Sequence, residues 1–349
     1  MKVVQIVRPG KIELANLEPR LLKPGEVRIA VAAVAICGSD LKVIDAPITI
    51  PLVPGHEFSG VIIEVSTGSK DCLHFGDKVT VYPMISCMAC DYCLKNKFRD
   101  CESKLSLGFQ LPGAFSDEIV VDSRFVIHLM DGLTYEQGAL VEHLCCGYRL
   151  AMEIVSYQLP LDSHIVLIGD GPIALADLQI LRLFNYSNIT VIGKYSLRLE
   201  LAQKLGANQI INFKDRALTN IISNSSIVDI CVFAAPADDT LTKIIPFIRP
   251  QGILFPQTRI RGSSTLELLE NSNISSGRAF AYEFDDFNIV MNLIKKGEIR
   301  TDILVSQRVT LSEVPRIISN MNGNKLESKT LIINENFEMV VNNYRRSTI

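Results

Sequence analysis

The chain has 349 residues, of which 48% are hydrophobic and 21% are charged, and its formal net charge is −3. This composition indicates a folded protein, and the length exceeds what one hydrophobic core usually supports, so we expect two domains. The weakly acidic charge argues against a nucleic-acid partner. Because the sequence has neither an apolar run of roughly 20 residues nor an apolar signal core, we expect no membrane partner and a cytoplasmic location.

Short β-rich segments separated by Pro-Gly and Gly-Asp turns make up the first part of the chain. The pattern predicts strands at residues 27–34, 58–65 and 78–82.

Four cysteines follow within fifteen residues, in the run Cys87-x2-Cys90-x2-Cys93-x7-Cys101. A Cys-x2-Cys turn places two thiolates on the same side of an ion, and a second pair closes a tetrahedral shell. Because protein ligands then occupy every position, the run predicts a structural zinc site. Two disulfides or an iron–sulfur cluster are the alternatives, and the missing secretion signal argues against the disulfides.

From about Tyr135 the pattern changes to helical spacing, and predicted strands at residues 164–168, 188–192 and 227–233 alternate with helices. Such alternation predicts a doubly wound parallel sheet. The chain then continues through a helix after about residue 284, a short segment at 303–305, a helix after Ser312 and a strand at 329–333.

A glycine motif lies between the strand at 164–168 and a predicted helix that continues to about Phe184; it reads Gly169-Asp170-Gly171-Pro172-Ile173-Ala174. The first glycine permits a tight turn, and the second lets backbone amides approach a pyrophosphate at the helix N-terminus. Ala174 is small enough for close packing of helix and strand. We therefore expect Gly169, Gly171, Pro172 and Ile173 to bind a dinucleotide, although an ordinary glycine turn is the alternative.

The strand at 188–192 is followed by Gly193-Lys194-Tyr195, where such folds usually carry an Asp or Glu that binds the adenosine ribose. Gly193 removes the carboxylate that would repel a 2′-phosphate, and Lys194 adds a cation. We expect Gly193, Lys194, Tyr195 and Arg198 to bind the cofactor and NADP(H) to be preferred over NAD(H). A solvated surface role for Lys194 is the alternative.

Three further fragments each carry a potential metal ligand: Cys37-Gly38-Ser39-Asp40, Pro54-Gly55-His56-Glu57 and Leu140-Val141-Glu142-His143. Each fragment alone is weak evidence. Together with Gly76-Asp77-Lys78-Val79, Gly113-Ala114-Phe115-Ser116-Asp117-Glu118 and the two motifs above, they occur in the order found in one family. The chain resembles the zinc-dependent medium-chain dehydrogenases/reductases, specifically their polyol (sorbitol or iditol) and threonine dehydrogenase branch.

The resemblance implies an α/β protein with a GroES-like β-rich catalytic domain and a Rossmann domain, with the active site in the cleft between them. The catalytic domain is expected at residues 1–145, with the structural zinc lobe at 87–101. The Rossmann domain is expected at 146–285, and residues 286–349 are expected to return and complete the catalytic domain. A homodimer or homotetramer is also implied.

The resemblance further implies one catalytic and one structural zinc ion per chain. Cys37, His56 and an acid at Glu57 or Glu142 would hold the catalytic ion, and Ser39 would begin a proton relay. His143 stands where the family usually has proline, and we expect it to be a packing or hydrogen-bonding residue rather than a ligand.

The activity implied is hydride transfer between NAD(P) and a secondary alcohol or ketone of a polyol-like or other hydroxylated small molecule. The alternative is a catalytically silent relative that binds nucleotide and has a structural or regulatory role. Metal analysis would separate the two, since the enzyme requires about two zinc ions per chain and the silent relative only one.

Overall fold

The computed structural model describes residues 1–214, 227–235, 238–321 and 328–347. The chain divides into two compact units, one formed by Met1–Glu142 with Glu283–Ile349 and the other by His143–Tyr282. The boundaries expected after residues 145 and 285 each lie three residues farther along the chain than these. Within the described ranges, no helix combines the length and apolar character needed to cross a membrane.

The strands are numbered in chain order through the described residues. They are β1 (Lys2–Arg8), β2 (Lys11–Asn16), β3 (Glu26–Ala35), β4 (Glu57–Val65), β5 (Lys78–Val81), β6 (Met84–Ile85), β7 (Leu105–Ser106), β8 (Glu118–Asp122), β9 (Val126–His128), β10 (His164–Ile168), β11 (Asn188–Gly193), β12 (Gln209–Asn212), β13 (Val228–Phe233), β14 (Ile248–Pro256), β15 (Ser275–Ser276), β16 (Val305–Thr310) and β17 (Lys329–Ile333).

The α-helices are numbered in the same way. They are α1 (Gly38–Ile44), α2 (Asp91–Leu94), α3 (Tyr135–Ala139), α4 (Val141–Ser156), α5 (Pro172–Leu183), α6 (Ser196–Lys204), α7 (Asp238–Ile244), α8 (Ser263–Glu270), α9 (Asp286–Lys295), α10 (Val314–Met321) and α11 (Phe337–Ser347).

A seven-stranded sheet in the order β16-β17-β3-β4-β5-β9, with β8 also paired to β3, organises the first unit. Strand β3 is buried along almost its whole length because it pairs with β17, β4 and β8. This explains why its sequence is a nearly continuous apolar run rather than an alternating one. The strands predicted at 27–34, 58–65 and 78–82 correspond to β3, β4 and β5 to within one residue.

The C-terminal part of the chain joins this sheet through β17, in which Leu331 lies opposite Ala35 of β3. The short segment predicted at residues 303–305 is instead a 3₁₀ turn at Asp302–Leu304 followed by the six-residue strand β16. Strand β16 pairs in parallel with β17, and its local sequence contains no signal for that distant pairing.

The second unit is built on a six-stranded sheet in the order β12-β11-β10-β13-β14-β15. Every neighbouring pair is parallel. From the first strand of the unit onward this is the order 3-2-1-4-5-6 of the Rossmann fold, in which ligands bind beyond the carboxyl ends of the strands. The predicted α/β class with a doubly wound parallel sheet is confirmed.

Candidate active site

Two distant motifs of the first unit meet at one end of the β3–β4 pair. Ala35, the last residue of β3, lies opposite Glu57, the first residue of β4, so the residues just outside both strands come together. One ligand atom from each of Cys37, His56 and Glu57 lies within 4.8 Å of the other two. Ligands at 2.0–2.3 Å around a tetrahedral zinc ion are about 3.5 Å apart, so this thiol, imidazole and carboxylate set fits zinc.

Asp40 holds Cys37 and His56 in place from the first turn of α1, where it is fully buried. Its Oδ2 accepts a hydrogen bond from the Cys37 amide at 2.8 Å, and its Oδ1 lies 3.2 Å from His56 Nδ1. The latter approach is an ion-pair distance without hydrogen-bond geometry, since Nδ1 has no well-directed partner among the described residues. No role of Asp40 was predicted from the sequence, although its place three residues after Cys37 matches a capping-box spacing.

The charges around His56 favour a cation. Burial lowers the pKa of the imidazole, but Asp40 and Cys37 outweigh burial and raise that pKa well above its usual value. The same negative groups would stabilise a metal ion, which binds the neutral imidazole and displaces its proton.

Ser39 lies on the same side of His56 as Cys37. Its Oγ donates a hydrogen bond to Cys37 Sγ at 3.0 Å and is 3.5 Å from His56 Nε2. Phe109, whose ring centroid lies 5.3 Å from that of His56, covers the imidazole from the loop after β7. Sequence analysis did not identify Phe109, because nothing in the local sequence shows that this loop returns to His56.

Glu57 is bound on both oxygens by Lys329, the first residue of β17, with Nζ–Oε distances of 2.6 and 2.5 Å. Burial lowers the pKa of Lys329, but Glu57, Cys37 and Glu142 outweigh it, so the net shift is upward. Glu142 is buried in the first turn of α4 and acts on Lys329 electrostatically, but it is not part of the three-residue group described above. Sequence analysis also missed Lys329.

The four-cysteine run forms a second cluster, in which the Sγ atoms of Cys87, Cys90, Cys93 and Cys101 all lie within 4.8 Å of one another. The sulfurs of Cys87 and Cys93 are 3.8 Å apart. Two thiolates at 2.3 Å from a tetrahedral ion would be separated by about 3.8 Å, so the spacing fits zinc. Backbone amides of Ala89 and Cys90 lower the pKa of the Cys87 thiol to about 6, which favours the thiolate that a metal binds.

Aromatic packing and an ion pair between Arg99 and Glu283 attach the cysteine lobe to the rest of its unit. The Phe98 ring lies 6.4 Å from Tyr82 and 6.0 Å from Phe284. Beside it, Arg99 Nε lies 2.5 Å from a Glu283 carboxylate oxygen. The buried Phe98 ring therefore anchors the lobe to the core of the first unit.

In the second unit, the glycine motif has the geometry of a phosphate-binding turn. Gly169 adopts φ +136°, which few side chains tolerate, and Gly171 is the N-cap of α5, followed by Pro172 and Ile173. A Cβ at Gly171 would extend into open space, which is the room that a pyrophosphate needs at a helix N-terminus. His143 Nε2 donates a hydrogen bond to the Pro172 carbonyl at 3.0 Å.

The segment after β11 carries a cluster of cations around Tyr195. The Lys194 and Lys214 Nζ atoms lie 5.8 and 5.5 Å from the ring centroid, and Arg198 Cζ lies 5.0 Å from it. Lys194 and Arg198 were predicted to bind the cofactor, whereas Lys214 was missed because it follows the next strand, β12. The structure brings all of them to one end of the sheet.

Comparisons with known proteins agree with this description. The family profile for the alcohol dehydrogenase GroES-like domain matches residues 23–131. The D-arabitol-phosphate dehydrogenase of Enterococcus avium is 30% identical over 343 residues, which cover 94% of this chain and 96% of that protein. The sorbitol dehydrogenase of Bacillus subtilis is 31% identical over 264 residues, covering 73% and 74% of the two chains.

Among solved structures, the alcohol dehydrogenase TADH from Thermus sp. ATN1 is 25% identical, with a TM-score of 0.81 over 96% of this chain and 100% of that one. The GroES-like domain expected from the sequence is confirmed, and the relatives are polyol and alcohol dehydrogenases. The chain belongs to the polyol branch of the zinc-type medium-chain dehydrogenase/reductase family.

Proposed function

We propose that the protein oxidises or reduces a polyol-type small molecule at a zinc site formed around Cys37 and His56, with a nicotinamide dinucleotide held by the 169–174 turn. The observation that carries the proposal is the cluster of Cys37, His56 and Glu57, whose ligand atoms lie within 4.8 Å of one another. Zinc held there would act as a Lewis acid that lowers the pKa of the alcohol, while the dinucleotide takes or gives the hydride.

We propose that Glu142 is the acidic zinc ligand in the resting enzyme and that Glu57 is the alternative acidic ligand. Both oxygens of Glu57 are already bound to Lys329, so a metal would have to compete with an ammonium group for them. Glu142 is buried, and its charge helps to raise the pKa of the same lysine. One thiolate, one imidazole and one carboxylate would leave a position for substrate.

Ser39 is proposed as the first acceptor of the substrate's hydroxyl proton. Its Oγ lies 3.0 Å from Cys37 Sγ and 3.5 Å from His56 Nε2, so a substrate oxygen that reaches the metal ligands also comes near this hydroxyl. A positioned hydroxyl can accept the proton at Oγ while it passes its own proton to solvent, to which Ser39 is partly exposed. Phe109 would provide an apolar wall beside His56.

The four-cysteine lobe is proposed to hold a second, structural zinc ion. The 3.8 Å separation of Cys87 and Cys93 sulfurs supports this, as does the burial of Cys93 and Cys101. Four protein ligands leave no position for substrate, so the ion would stabilise the lobe and take no part in turnover. Reduced thiols at both metal sites fit the cytoplasm.

We propose that NADP(H) is preferred over NAD(H). Strand β11 ends at Gly193 and has no acid of its own to bind a free ribose, and Lys194, Arg198 and Lys214 lie around Tyr195 there. Cations placed together favour the doubly charged 2′-phosphate that distinguishes the two cofactors.

The substrate is proposed to be a pentitol or hexitol, in its free or phosphorylated form. Similarity to a D-arabitol-phosphate dehydrogenase over nearly the full chain supports the phosphorylated form, and similarity to a sorbitol dehydrogenase supports the free form. A homodimer or homotetramer is also proposed, because both residues of the edge strand β15 are exposed and available for pairing.

The test is a spectrophotometric screen at 340 nm of D-arabitol, D-arabitol phosphate, sorbitol and galactitol phosphate with NADP⁺ and NAD⁺ in parallel. We expect reduction of NADP⁺ to be faster than that of NAD⁺ with at least one polyol, and a loss of the rate when zinc is chelated. Equal rates with both cofactors would remove the NADP preference. Turnover that persists after all zinc is removed would contradict the zinc mechanism.

A further inference from the structure

Asp170, the second residue of the glycine motif, extends to the end of the neighbouring strand β11. Its Oδ2 accepts hydrogen bonds from the backbone amides of Lys194 at 2.7 Å and Tyr195 at 2.6 Å. The residue is only 7% exposed. A carboxylate in these two short bonds fixes the backbone from which the Lys194 and Tyr195 side chains project.

Gly193 makes this arrangement possible. A Cβ at position 193 would lie 2.5 Å from Asp170 Cβ and 2.7 Å from its Oδ2, so any larger residue there would displace the Asp170 side chain. A carboxylate on residue 170 and the usual acid at the strand end are therefore mutually exclusive in this backbone. The glycine at position 193 is therefore needed for the acid at position 170 to reach the end of β11.

The cations lie immediately around this anchor. Arg198 Nη1 is 3.9 Å from Asp170 Oδ1, so the carboxylate also attracts the guanidinium that lies over Tyr195. Lys194 follows Gly193 directly, and Lys214, two residues after β12, reaches the same Tyr195 ring.

We propose that Asp170 is a positioning residue that sets the choice of cofactor. By binding the 194–195 backbone and attracting Arg198, it holds the cations around Tyr195 in the arrangement that receives the 2′-phosphate of NADP(H). The inference rests on the proposed function, because it requires that the second unit bind a nicotinamide dinucleotide. Asp170 acts indirectly, since Oδ2 is already bound to two amides and its own charge would repel the phosphate.

In the experiment, the full-length wild type, Asp170→Ala and Asp170→Asn are each titrated with NADPH and with NADH. Binding is measured by the fluorescence of the reduced nicotinamide. Thermal melting of each ligand-free protein shows whether the variant is folded. Asp162→Ala is the matched control, because Asp162 is an exposed acid before β10 in the same unit. We expect Asp170→Ala to weaken NADPH about tenfold and NADH less than about threefold, the difference corresponding to loss of a charge-assisted contact. Asp170→Asn retains an oxygen acceptor for the amides but loses the charge that attracts Arg198, so it should weaken NADPH less than Asp170→Ala does and leave NADH within about threefold of wild type.

Gly193→Ala is a second variant, for use if Asp170→Ala does not fold. Its added Cβ would displace the Asp170 side chain, so it should show the same selective loss of NADPH affinity. Equal weakening of both cofactors in Asp170→Ala, or no change in either, would overturn the positioning role. Selective loss of NADH in Asp170→Asn would also overturn it, because that result means that Asp170 binds the ribose directly. A wild type that binds neither dinucleotide would refute the proposed function itself, whereas the other contrary outcomes refute only this inference.

Discussion

Lys329 and Glu57 form a buried ion pair between residues 272 positions apart in the chain. Nζ lies 2.6 and 2.5 Å from the two carboxylate oxygens, and the side chains are 2% and 1% exposed. The pair connects β17, near the end of the chain, to the first residue of β4 beside the proposed metal ligands. Two buried opposite charges are tolerated only while both are present.

Lys329→Met should therefore destabilise the protein by about 3–5 kcal/mol, because it leaves the Glu57 carboxylate buried without the positive charge of Lys329. It also frees Glu57 to bind the metal at the position that the substrate needs. Turnover should therefore fall even at temperatures where the variant is folded. Urea unfolding and kcat measured on the same preparations test both effects. The double variant Glu57→Gln with Lys329→Met removes both charges and should recover much of the lost stability; equal stability of the single and double variants would show that the pair carries no charge coupling.

Cys90→Ser should release one zinc ion per chain and lower Tm by about 5 °C or more, because a structural site contributes its binding energy to folding. The aromatic contacts of Phe98 would transmit this loss to the core around Tyr82. Cys72→Ser, at an exposed cysteine of the same unit, is the control and should retain both metal content and Tm. Zinc analysis and thermal melting check the pair, and a Cys90→Ser protein with unchanged zinc would contradict the structural site.

Ser39→Ala should lower kcat by about 10²–10⁴-fold with little change in KM, since the hydroxyl acts on the proton and not on affinity. Ser39→Thr keeps a hydroxyl and should restore most of the rate. Steady-state kinetics of both variants across pH distinguishes a proton-transfer role of Ser39 from a packing role. If Ser39→Thr and Ser39→Ala are equally slow, Ser39 is not a proton acceptor.

Asp177 on α5 should make the stability of the second unit depend on pH. It is fully buried, Gln257 Nε2 donates to its Oδ1 at 3.1 Å, and its Oδ2 has no hydrogen-bond partner in the described part of the chain. Burial raises the pKa of this carboxyl to about 8, against the opposing effect of the Gln257 hydrogen bond. The folded protein therefore holds a proton that the unfolded chain has released above about pH 4.

Because the folded state binds the extra proton, stability should decrease as the pH rises from about 4 to about 8, with a slope of up to about 1.4 kcal/mol per pH unit from this group. Asp177→Asn removes the titration, so the variant should gain stability relative to wild type as the pH increases. Urea unfolding of both proteins at pH 5.5, 7 and 8.5 gives the difference directly, and parallel pH profiles would show that Asp177 does not hold the proton.

The sequence predicts well those features that depend on local patterns. The glycine motif, the cysteine run and the strands β3, β10 and β17 all have local signals, and the structure places them where the patterns indicate. The same holds for Gly193 and Lys194, which stand in the sequence where an acid is expected at the end of β11.

Features that depend on distant chain segments were not predicted. Lys329 meets Glu57 only because β17 joins the sheet beside β3, and Lys214 reaches Tyr195 only because β12 pairs with β11. Asp40 bonds to the Cys37 amide through a recognisable local spacing, but its approach to His56 requires the pairing of β3 with β4. In each case the missing information is strand register, which residue identity alone does not specify.

The central claim is that Cys37 and His56 hold a zinc ion at which turnover occurs, and zinc content measured together with NADP⁺ reduction in wild type and Cys37→Ser tests it most directly. We predict about two zinc ions per chain in the wild type and about one in Cys37→Ser, with turnover abolished and NADPH binding retained. Cys37→Ser protein that keeps both its zinc content and its rate of NADP⁺ reduction would contradict the account.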